Sequence, residues 1–429
     1  MRLKRKKRKH LIINFILLLF LAAGVLFLIC STWRDDVSTE AKKPLTAASE
    51  LPEPSLLSLS PDIPSVAPTE TATATETPIP DPPYVEAAWM AVGDIMMHRP
   101  QVPGAYDKST KTYDFTSYFT EVKPILAEGD WVIANLETPV AGAAYGYTGY
   151  PSFNAPVALL TALEDAGFNM LTTANNHALD KGEKGLLRTL NNLKKFKFAV
   201  KGTAATQKEA EQSVIVAHNG IKMGLLSYTY GTNGIALPKG KPFMVAMIDE
   251  DKIVKDIQKT KDDGADFVTV ALHFGTEYQT QPNKEQKQLA RRLVAAGADI
   301  IAGSHPHVIQ PYEVLETVDD DGSERKGLII YSMGNFISNQ RDDTKDYGII
   351  YKVLIRKNKA DGSIELGDIE TIPTWVHRYQ PDSNYRYRIL PIEQTLAAAT
   401  TDELLSKADY SNMARTLEEL RERLQSMLK

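Results

Sequence analysis

Short polar clusters, each placed just after an apolar run, carry the residue types that could do chemistry in this chain. In order, the clusters are Gly93-Asp94, Asn135-Leu136-Glu137, Asn175-Asn176-His177 with Asp180, His273, Gly303-Ser304-His305-Pro306-His307 and Ser332-Met333-Gly334-Asn335-Phe336. Carboxylate, amide and imidazole groups without a thiolate suit Mn, Fe or Zn better than a structural cysteine–zinc site. The sequence therefore predicts a site for one or two divalent metal ions.

The segment from Asn175 to Asp180 offers two separate roles. Asn176 can give an amide oxygen to a metal, and Asp180 can hold one ring nitrogen of His177 so that the other nitrogen faces substrate. The competing interpretation of His177 is a structural histidine whose hydrogen bonds are satisfied. The pattern favours a metal ligand next to a catalytic pair.

The histidines after residue 83 are concentrated in the same clusters. His305 and His307 lie at i and i+2 in an extended segment, so they point the same way, and Pro306 stiffens that segment. His273 ends an apolar strand, which is typical of a ligand and also of an ordinary strand end. Four of the seven histidines beyond residue 83 fall in these clusters.

Two carboxylates and several weaker candidates complete the predicted site. Asp94 ends the first predicted strand, where a Gly-Asp turn is the alternative. Glu137 shares a face with Asn135 and can bridge two cations, or it can simply face solvent while Asn135 caps a turn. Further candidates are His98, Asn135, Glu277 and Asn335 for the metal site and Arg99 and Arg341 for substrate.

Alternating strands and helices must position these clusters. Apolar runs predict strands at 87–92, 131–134, 168–173, 266–272, 299–302, 327–331 and 348–355, a hairpin at 213–217 and 222–228, and helices near 115–127, 156–166, 184–195, 253–262, 285–296 and 402–429. Strand, helix and strand in succession favour an α/β domain with a mainly parallel central layer. Ligands bind beyond the carboxyl ends of such strands, which is where the clusters fall.

The amino-terminal end predicts a membrane anchor. Seven basic residues lie between Arg2 and Lys9, and the uncharged stretch 11–30 is long enough to span a bilayer of about 30 Å as a helix. The basic segment 1–10 should stay cytoplasmic, which leaves the rest of a single-pass protein at the outer side of the cell membrane. A cleaved signal peptide and a lipoprotein cysteine at Cys30 are the alternatives.

Beyond the anchor, the composition divides the chain into a linker and a folded part. Residues 31–83 hold ten of the 24 prolines among Ser, Thr, Ala and Glu, which predicts a disordered extracytoplasmic linker. The folded part should comprise a main domain at 84–340 and strands with an amphipathic helix at 341–429 that complete it. The formal net charge is −5 despite the basic amino terminus, so the folded part is acidic and no nucleic-acid partner is expected.

Taken together, these motifs resemble the CapA (PgsA) family of poly-γ-glutamate capsule synthesis proteins, which are similar to calcineurin-like metallophosphoesterases. The resemblance covers about residues 87–340 and implies a metallophosphatase-like α/β sandwich. It also implies that His177 and Asp180 act as a general-acid pair. The metal ligands that it implies are Asp94, Glu137 as the bridge, Asn176, His273, His305 and His307.

The first motif departs from that pattern. Metallophosphoesterases carry Asp-x-His there, whereas this chain reads Asp94-Ile95-Met96. A thioether is a poor ligand for hard cations, so the first metal is weakly held or His98 substitutes. The bridging residue is also Glu instead of Asp, which changes its reach by one methylene.

Two classes of function follow from these patterns. The first is a membrane-anchored, metal-dependent hydrolase that serves the synthesis, export or attachment of poly-γ-glutamate or a related capsule polymer. It would act on an anionic polymer or a phosphoester, beside membrane-bound synthase subunits. The second is a non-catalytic subunit that holds polymer for such a synthase. A surface nucleotidase-like phosphoesterase is a further alternative.

Overall fold

Two β-sheets lie face to face in the computed structural model of the chain, which describes residues 83–318 and 322–428. The predicted basic segment 1–10, the predicted anchor 11–30 and residues 31–82 of the predicted linker lie outside these residues. Within the described ranges, no helix is both long and apolar enough to cross a bilayer.

Sixteen strands and nine α-helices are observed in the described residues. The strands are β1 (Tyr84–Ile95), β2 (Tyr106–Asp107), β3 (Thr112–Tyr113), β4 (Trp131–Leu136), β5 (Met170–Thr172), β6 (Ala199–Lys201), β7 (Val214–His218), β8 (Ile221–Thr229), β9 (Phe267–His273), β10 (Ile300–Ser304), β11 (Tyr312–Val318), β12 (Glu324–Ile330), β13 (Asn335–Ile337), β14 (Tyr347–Asn358), β15 (Ile364–Tyr379) and β16 (Arg386–Pro391). The helices are α1 (Gln101–Gly104), α2 (Lys123–Leu126), α3 (Ala158–Ala166), α4 (Gly182–Leu193), α5 (Gln207–Glu211), α6 (Glu250–Asp262), α7 (Lys284–Ala295), α8 (Ile392–Ala397) and α9 (Lys407–Gln425).

Both sheets have parallel centres and antiparallel edges. The larger sheet runs β16-β15-β14-β1-β4-β5-β6, with β13 also paired to β1, and its strands β1, β4, β5 and β6 are mutually parallel. The smaller sheet runs β11-β12-β10-β9-β8-β7, with β8, β9, β10 and β12 parallel. The carboxyl ends of several parallel strands therefore meet along one edge of each sheet.

Alternation along β1 explains how one strand contributes to two cores. Trp89 and Ala91 point into the core between the sheets, whereas Met90 and Val92 point to the outer face. This is the two-residue period of a pleated strand that is buried on both faces. The Trp89 indole nitrogen also donates to Thr269 Oγ1 of the smaller sheet, at 3.1 Å, and so joins the two layers inside the core.

Helices cover the outer faces of the two sheets. Leu159 and Leu163 of α3 pack on the outer face of the larger sheet. Ile257 of α6 and Leu293 of α7 pack on the outer face of the smaller sheet. Since α9 contributes Leu420 and its apolar neighbours to the core between the sheets, the carboxyl-terminal helix packs onto the sandwich.

The mixed α/β class predicted from the sequence is confirmed, and the mainly parallel central layer is observed as two sheets, as in the sandwich that the resemblance implies. The parallel strands divide between two sheets, because an apolar run that is buried on both faces does not indicate which sheet it will join. The helix expected near 115–127 is wrong in extent. It is observed as a 3₁₀ turn at Thr116–Tyr118 and the short α2, since Pro124 is tolerated only in the first turn of a helix.

Candidate metal centre and catalytic cleft

The predicted ligands converge where parallel strands of both sheets end. Asp94 lies one residue before the end of β1, Glu137 directly follows β4, and Asn176 lies in the loop after β5. His273 is the last residue of β9, and the segment containing His305 follows β10. The larger sheet thus supplies the carboxylates and an amide, and the smaller sheet supplies three imidazoles.

Two glycines allow this convergence. A Cβ atom at Gly93 would lie 1.9 Å from the carbonyl oxygen of Gly334, and one at Gly303 would lie 2.1 Å from the carbonyl oxygen of Tyr331. Both contacts are with backbone, which cannot turn aside as a side chain can. Glycine is therefore required at both positions for the neighbouring segments to lie as close as they do.

A chain of hydrogen bonds orients the first carboxylate. Asn135 Nδ2 donates to Asp94 Oδ1 at 2.8 Å, and His307 Nδ1 lies 3.0 Å from Asp94 Oδ2. Asn175 Nδ2 in turn donates to Asn135 Oδ1 at 3.3 Å. Because Asp94 holds Nδ1 of His307, the Nε2 atom is left for another partner, and it lies 3.8 Å from Glu137 Oε1.

His273 links the two halves of the site. Its Nε2 atom lies 2.9 Å from Asn176 Oδ1 and 3.4 Å from Glu137 Oε1, and its Nδ1 atom lies 2.9 Å from Ser304 Oγ. The imidazole is fully enclosed. It is held on both ring nitrogens by groups from three strand ends, which fixes the plane of the ring.

The donor set fits divalent cations. Three groups of side chains each bring their ligand atoms within 4.8 Å of one another: Glu137 with His273 and His305, Asp94 with Glu137 and His307, and Glu277 with His305 and His307. Glu137 Oε1 and His305 Nδ1 are buried and have no hydrogen-bond partner among the described residues. Such orphaned atoms cost about 1–3 kcal/mol each unless something binds them, so these residues suit a metal.

Burial controls the protonation of these groups. It lowers the pKa of His273 well below its usual value and that of His305 to about 3, so both rings are neutral and keep a lone pair for a cation. Burial raises the pKa of Glu137, and the nearby Asp94 charge raises it further. For Asp94, burial alone would raise the pKa, but the hydrogen bond and charge of His307 lower it overall.

A histidine–aspartate pair lies beside the ligands. His177 Nδ1 is 2.8 Å from Asp180 Oδ2, and the same carboxylate oxygen accepts the backbone N–H of Phe153 at 2.7 Å. The Phe153 ring meets the His177 ring edge-on at 4.7 Å between centroids. Both members of the pair line a cleft of about 740 Å³ that also reaches Asn176 and His307. His177 is thus oriented by its Nδ1 atom toward a cavity of ligand size.

A comparison with known protein families shows to which family the chain belongs. A family profile described as "Bacterial capsule synthesis protein PGA_cap" matches residues 88–340, which contain all six polar clusters. The chain belongs to this family. The resemblance drawn from the motifs is therefore confirmed.

Two relatives of the capsule synthesis family are similar over much of the chain. The "PGA biosynthesis protein CapA" of Bacillus subtilis (strain 168) is 31% identical over 339 residues, which cover 74% of this chain and 83% of the relative. The "Capsule biosynthesis protein CapA" of Bacillus anthracis is 34% identical over 271 residues, which cover 60% of this chain and 62% of the relative.

Solved structures give a more distant likeness. The NAD nucleotidase of Haemophilus influenzae aligns with a TM-score of 0.44 and 13% identity, over 79% of this chain and 68% of that one. The calcineurin-like phosphoesterase YfkN of Bacillus subtilis aligns with a TM-score of 0.39 and 16% identity, over 79% and 100%. Both scores lie below 0.5, so nothing about the function of this capsule synthesis family member follows from them.

The weaker sequence candidates are placed in different ways. Glu277 joins His305 and His307, and Asn135 orients Asp94. His98 lines the cleft, with its buried Nε2 atom unpaired in the described chain, but it belongs to none of the three ligand groups formed there.

Asn335 and the two arginines lie around the site, and Asn335 Oδ1 is buried with no hydrogen-bond partner among the described residues. Asn335 Nδ2 donates to the carbonyl oxygens of His307 and Lys345, which makes it a brace behind the histidine segment. Arg99 is exposed, and Arg341 donates to Val376 O and pairs with Asp346. Among the described residues that line the cleft, neither arginine is found.

Sequence reasoning missed two tyrosines that enclose the histidines. The ring of Tyr230 lies 4.5 Å from that of His305, and the ring of Tyr278 lies 6.1 Å from that of His307, between centroids. Tyr230 directly follows β8, so its place after a parallel strand was the available signal. Tyr278 follows Glu277 and shares its loop.

Proposed function

We propose that this capsule synthesis family member is a membrane-anchored, metal-dependent phosphoester hydrolase that acts in the synthesis, export or attachment of poly-γ-glutamate or a related polymer. The observation that carries the proposal is the buried ligand set, in which Glu137 belongs to two groups and keeps an oxygen without a hydrogen bond. Family membership supports the capsule role. The apolar stretch 11–30 supports placement at the outer side of the cell membrane.

The proposed site would hold cations in two places. Asp94, Glu137 and His307 would hold one, and Glu137, Asn176, His273 and His305 would hold the other, with Mn, Fe or Zn as the metal. When bound, such cations supply positive charge that stabilises the negative charge developing on the oxygens of a phosphoryl group.

The chain's own residues would bind the substrate, orient it and move protons. Water adds to phosphorus while the bond from phosphorus to the leaving oxygen breaks, and His177 Nε2 donates its proton to that leaving oxygen. Asp180 keeps the ring in this orientation through its contact with Nδ1. Phe153 closes one side of the ring and limits its rotation.

The test compares metal content with turnover in the full 429-residue chain. Elemental analysis of the wild type should give up to two equivalents of Mn, Fe or Zn, which the double variant His305→Ala/His307→Ala should lose. His218→Ala is the matched control, because this histidine lies at the end of β7, outside the ligand groups of the described chain. His177→Ala should keep its metal and its circular dichroism spectrum and lose turnover of phosphomonoesters and phosphodiesters by about 10²-fold or more.

A second function is favoured by the first motif. Met96 is buried beside Asp94 and lines the cleft where an Asp-x-His motif would present an imidazole. With a weaker first metal, the cleft could hold an anionic polymer beside membrane synthase subunits without cleaving it. A wild-type chain that takes up no metal under replete conditions, yet binds poly-γ-glutamate, would exclude the hydrolase and favour this scaffold.

A further inference from the structure

The loop after β9 carries an acidic side chain to the outer side of the histidine segment. Glu277 on this loop offers a carboxylate oxygen within 4.8 Å of the ligand nitrogens of His305 and His307. We propose that Glu277 is a metal ligand, and that it supplies the donor that the first motif lacks. This inference rests on the proposed metal centre and adds to it a residue from the loop after β9.

The place of this loop is set by hydrogen bonds to the histidine segment itself. The backbone N–H of Tyr278 donates to Pro306 O at 2.8 Å, and that of Phe274 donates to Ser304 O at 3.1 Å. Tyr278, directly after Glu277, and Phe274, three residues before it, are tied to the residues on either side of His305. The backbone that carries Glu277 is therefore held beside the histidine segment.

A buried relay of amides holds the far end of the loop. Gln286 Nε2 donates to Gln310 Oε1 at 3.0 Å, and Gln310 Nε2 donates to Gln279 O at 2.7 Å. Gln286 and Gln310 are both enclosed, whereas the Glu277 side chain reaches into the cleft. The loop that carries Glu277 is therefore held by hydrogen bonds at both ends.

The histidine partner has capacity for a cation. His305 Nδ1 is buried and makes no hydrogen bond with any described residue, although Glu277, His273 and Tyr230 surround the ring. A lone pair enclosed in this way is destabilising unless it meets a proton donor or a metal. A divalent cation bound there would have a carboxylate on one side and a second imidazole on the other as ligands.

The other candidates for the missing donor are less suited. Met96 offers only a thioether, which is a soft ligand. The ring of His98 packs edge-on against Phe153, with 5.0 Å between centroids, and His98 belongs to none of the ligand groups found in the described chain. Glu277 instead provides a hard oxygen donor, so the site should prefer Mn²⁺ over Zn²⁺ more strongly than a site with an imidazole there.

The experiment measures Mn²⁺ binding to the full chain by equilibrium dialysis and by the electron paramagnetic resonance signal of free Mn²⁺. Glu277→Gln should lose one class of site, or bind it at least about tenfold more weakly than the wild type. Glu285→Gln is the matched control, because it is the same substitution at an exposed position on α7 of the same β9–α7 region. The control should bind Mn²⁺ as the wild type does.

Three results would overturn the inference. Wild-type stoichiometry and affinity in Glu277→Gln would remove that residue from the ligand set, and the proposed function would still stand if His305→Ala/His307→Ala loses its metal. Loss of the same site in His98→Ala, with Glu277→Gln unchanged, would assign the donor to His98. A wild-type chain that binds no Mn²⁺, Fe²⁺ or Zn²⁺ would overturn this inference and the proposed function together.

Discussion

The substitution Gly93→Ala tests the close approach on which the first ligand depends. Gly93 precedes Asp94 in β1, and the Asp94 N–H donates to Gly334 O at 3.0 Å. An alanine methyl group would lie 1.9 Å from the same carbonyl oxygen and must retreat to at least 3.0 Å. Both partners are backbone, so β1 and the Gly334 turn must separate by about 1 Å.

The expected cost follows from the kind of clash. Overpacking a well-packed interior costs about 1–3 kcal/mol. The upper end, about 3 kcal/mol, applies because the obstacle is a backbone carbonyl that also accepts a hydrogen bond. The same displacement moves Asp94 away from His307, so metal affinity should fall as well.

Urea unfolding followed by tryptophan fluorescence measures this cost, since Trp89 and Trp131 are fully buried in the sandwich. Gly231→Ala is the control, because no atom lies within 4 Å of the methyl group that it would add and its φ is not positive. The control should stay within about 0.5 kcal/mol of the wild type. An unfolding curve of Gly93→Ala that coincides with that of the wild type would refute the reasoning about the contact with Gly334.

Three further predictions concern proton transfer, pH and metal. Asp180→Asn keeps the shape of the side chain but weakens the hold on His177, so turnover should fall about 10²-fold while metal content stays unchanged; full activity would exclude the orienting role. Burial and the Arg388 charge lower the pKa of His377 to about 4. Between pH 6.5 and 4 the unfolded chain therefore binds a proton that the folded chain does not. The free energy of unfolding should fall as the pH falls through this range. The urea midpoint of His377→Gln should decline less over that range, and equal declines would contradict this assignment. Finally, a chelator should lower the melting temperature of the protein in a solution whose free cation concentration is about 100 times the Kd of the site, since about 2.7 kcal/mol of stabilisation is removed. Identical melting with and without chelator would count against a metal in the folded state.

The strands and their polar ends could be predicted because each apolar run is short and is followed at once by the residue that matters. The run from Phe267 to Leu272 followed by His273 is the clearest example, and the structure places that histidine at the end of β9. Both histidines of the 305–307 segment do reach one group with Glu277, but the extended backbone predicted for that segment is wrong, since φ is 99° at His305 and 59° at His307. Local sequence carries this information because a strand exposes its end at the edge of a sheet.

Longer-range arrangement could not be predicted in the same way. The family resemblance implied the separation into two sheets, but periodicity alone could not predict it, because a run buried on both sides does not show which apolar faces meet. The position of Glu277 beside the histidines depends on the hydrogen bond from Tyr278 to Pro306, which joins segments 28 residues apart. Arg341 pairs with Asp346 and donates to Val376 O, and neither contact can be inferred from the local sequence.

Because the ligands are divided between the two sheets, the metal centre can form only when both sheets are folded and packed together. Asp94, Glu137 and Asn176 come from one sheet, and His273 and His305 come from the other, so neither half alone holds a complete ligand set. A cation bound there would link the two sheets at one end of the sandwich. A chain that is only partly folded would lack such a metal site, so metal content would distinguish fully folded molecules from partly folded ones.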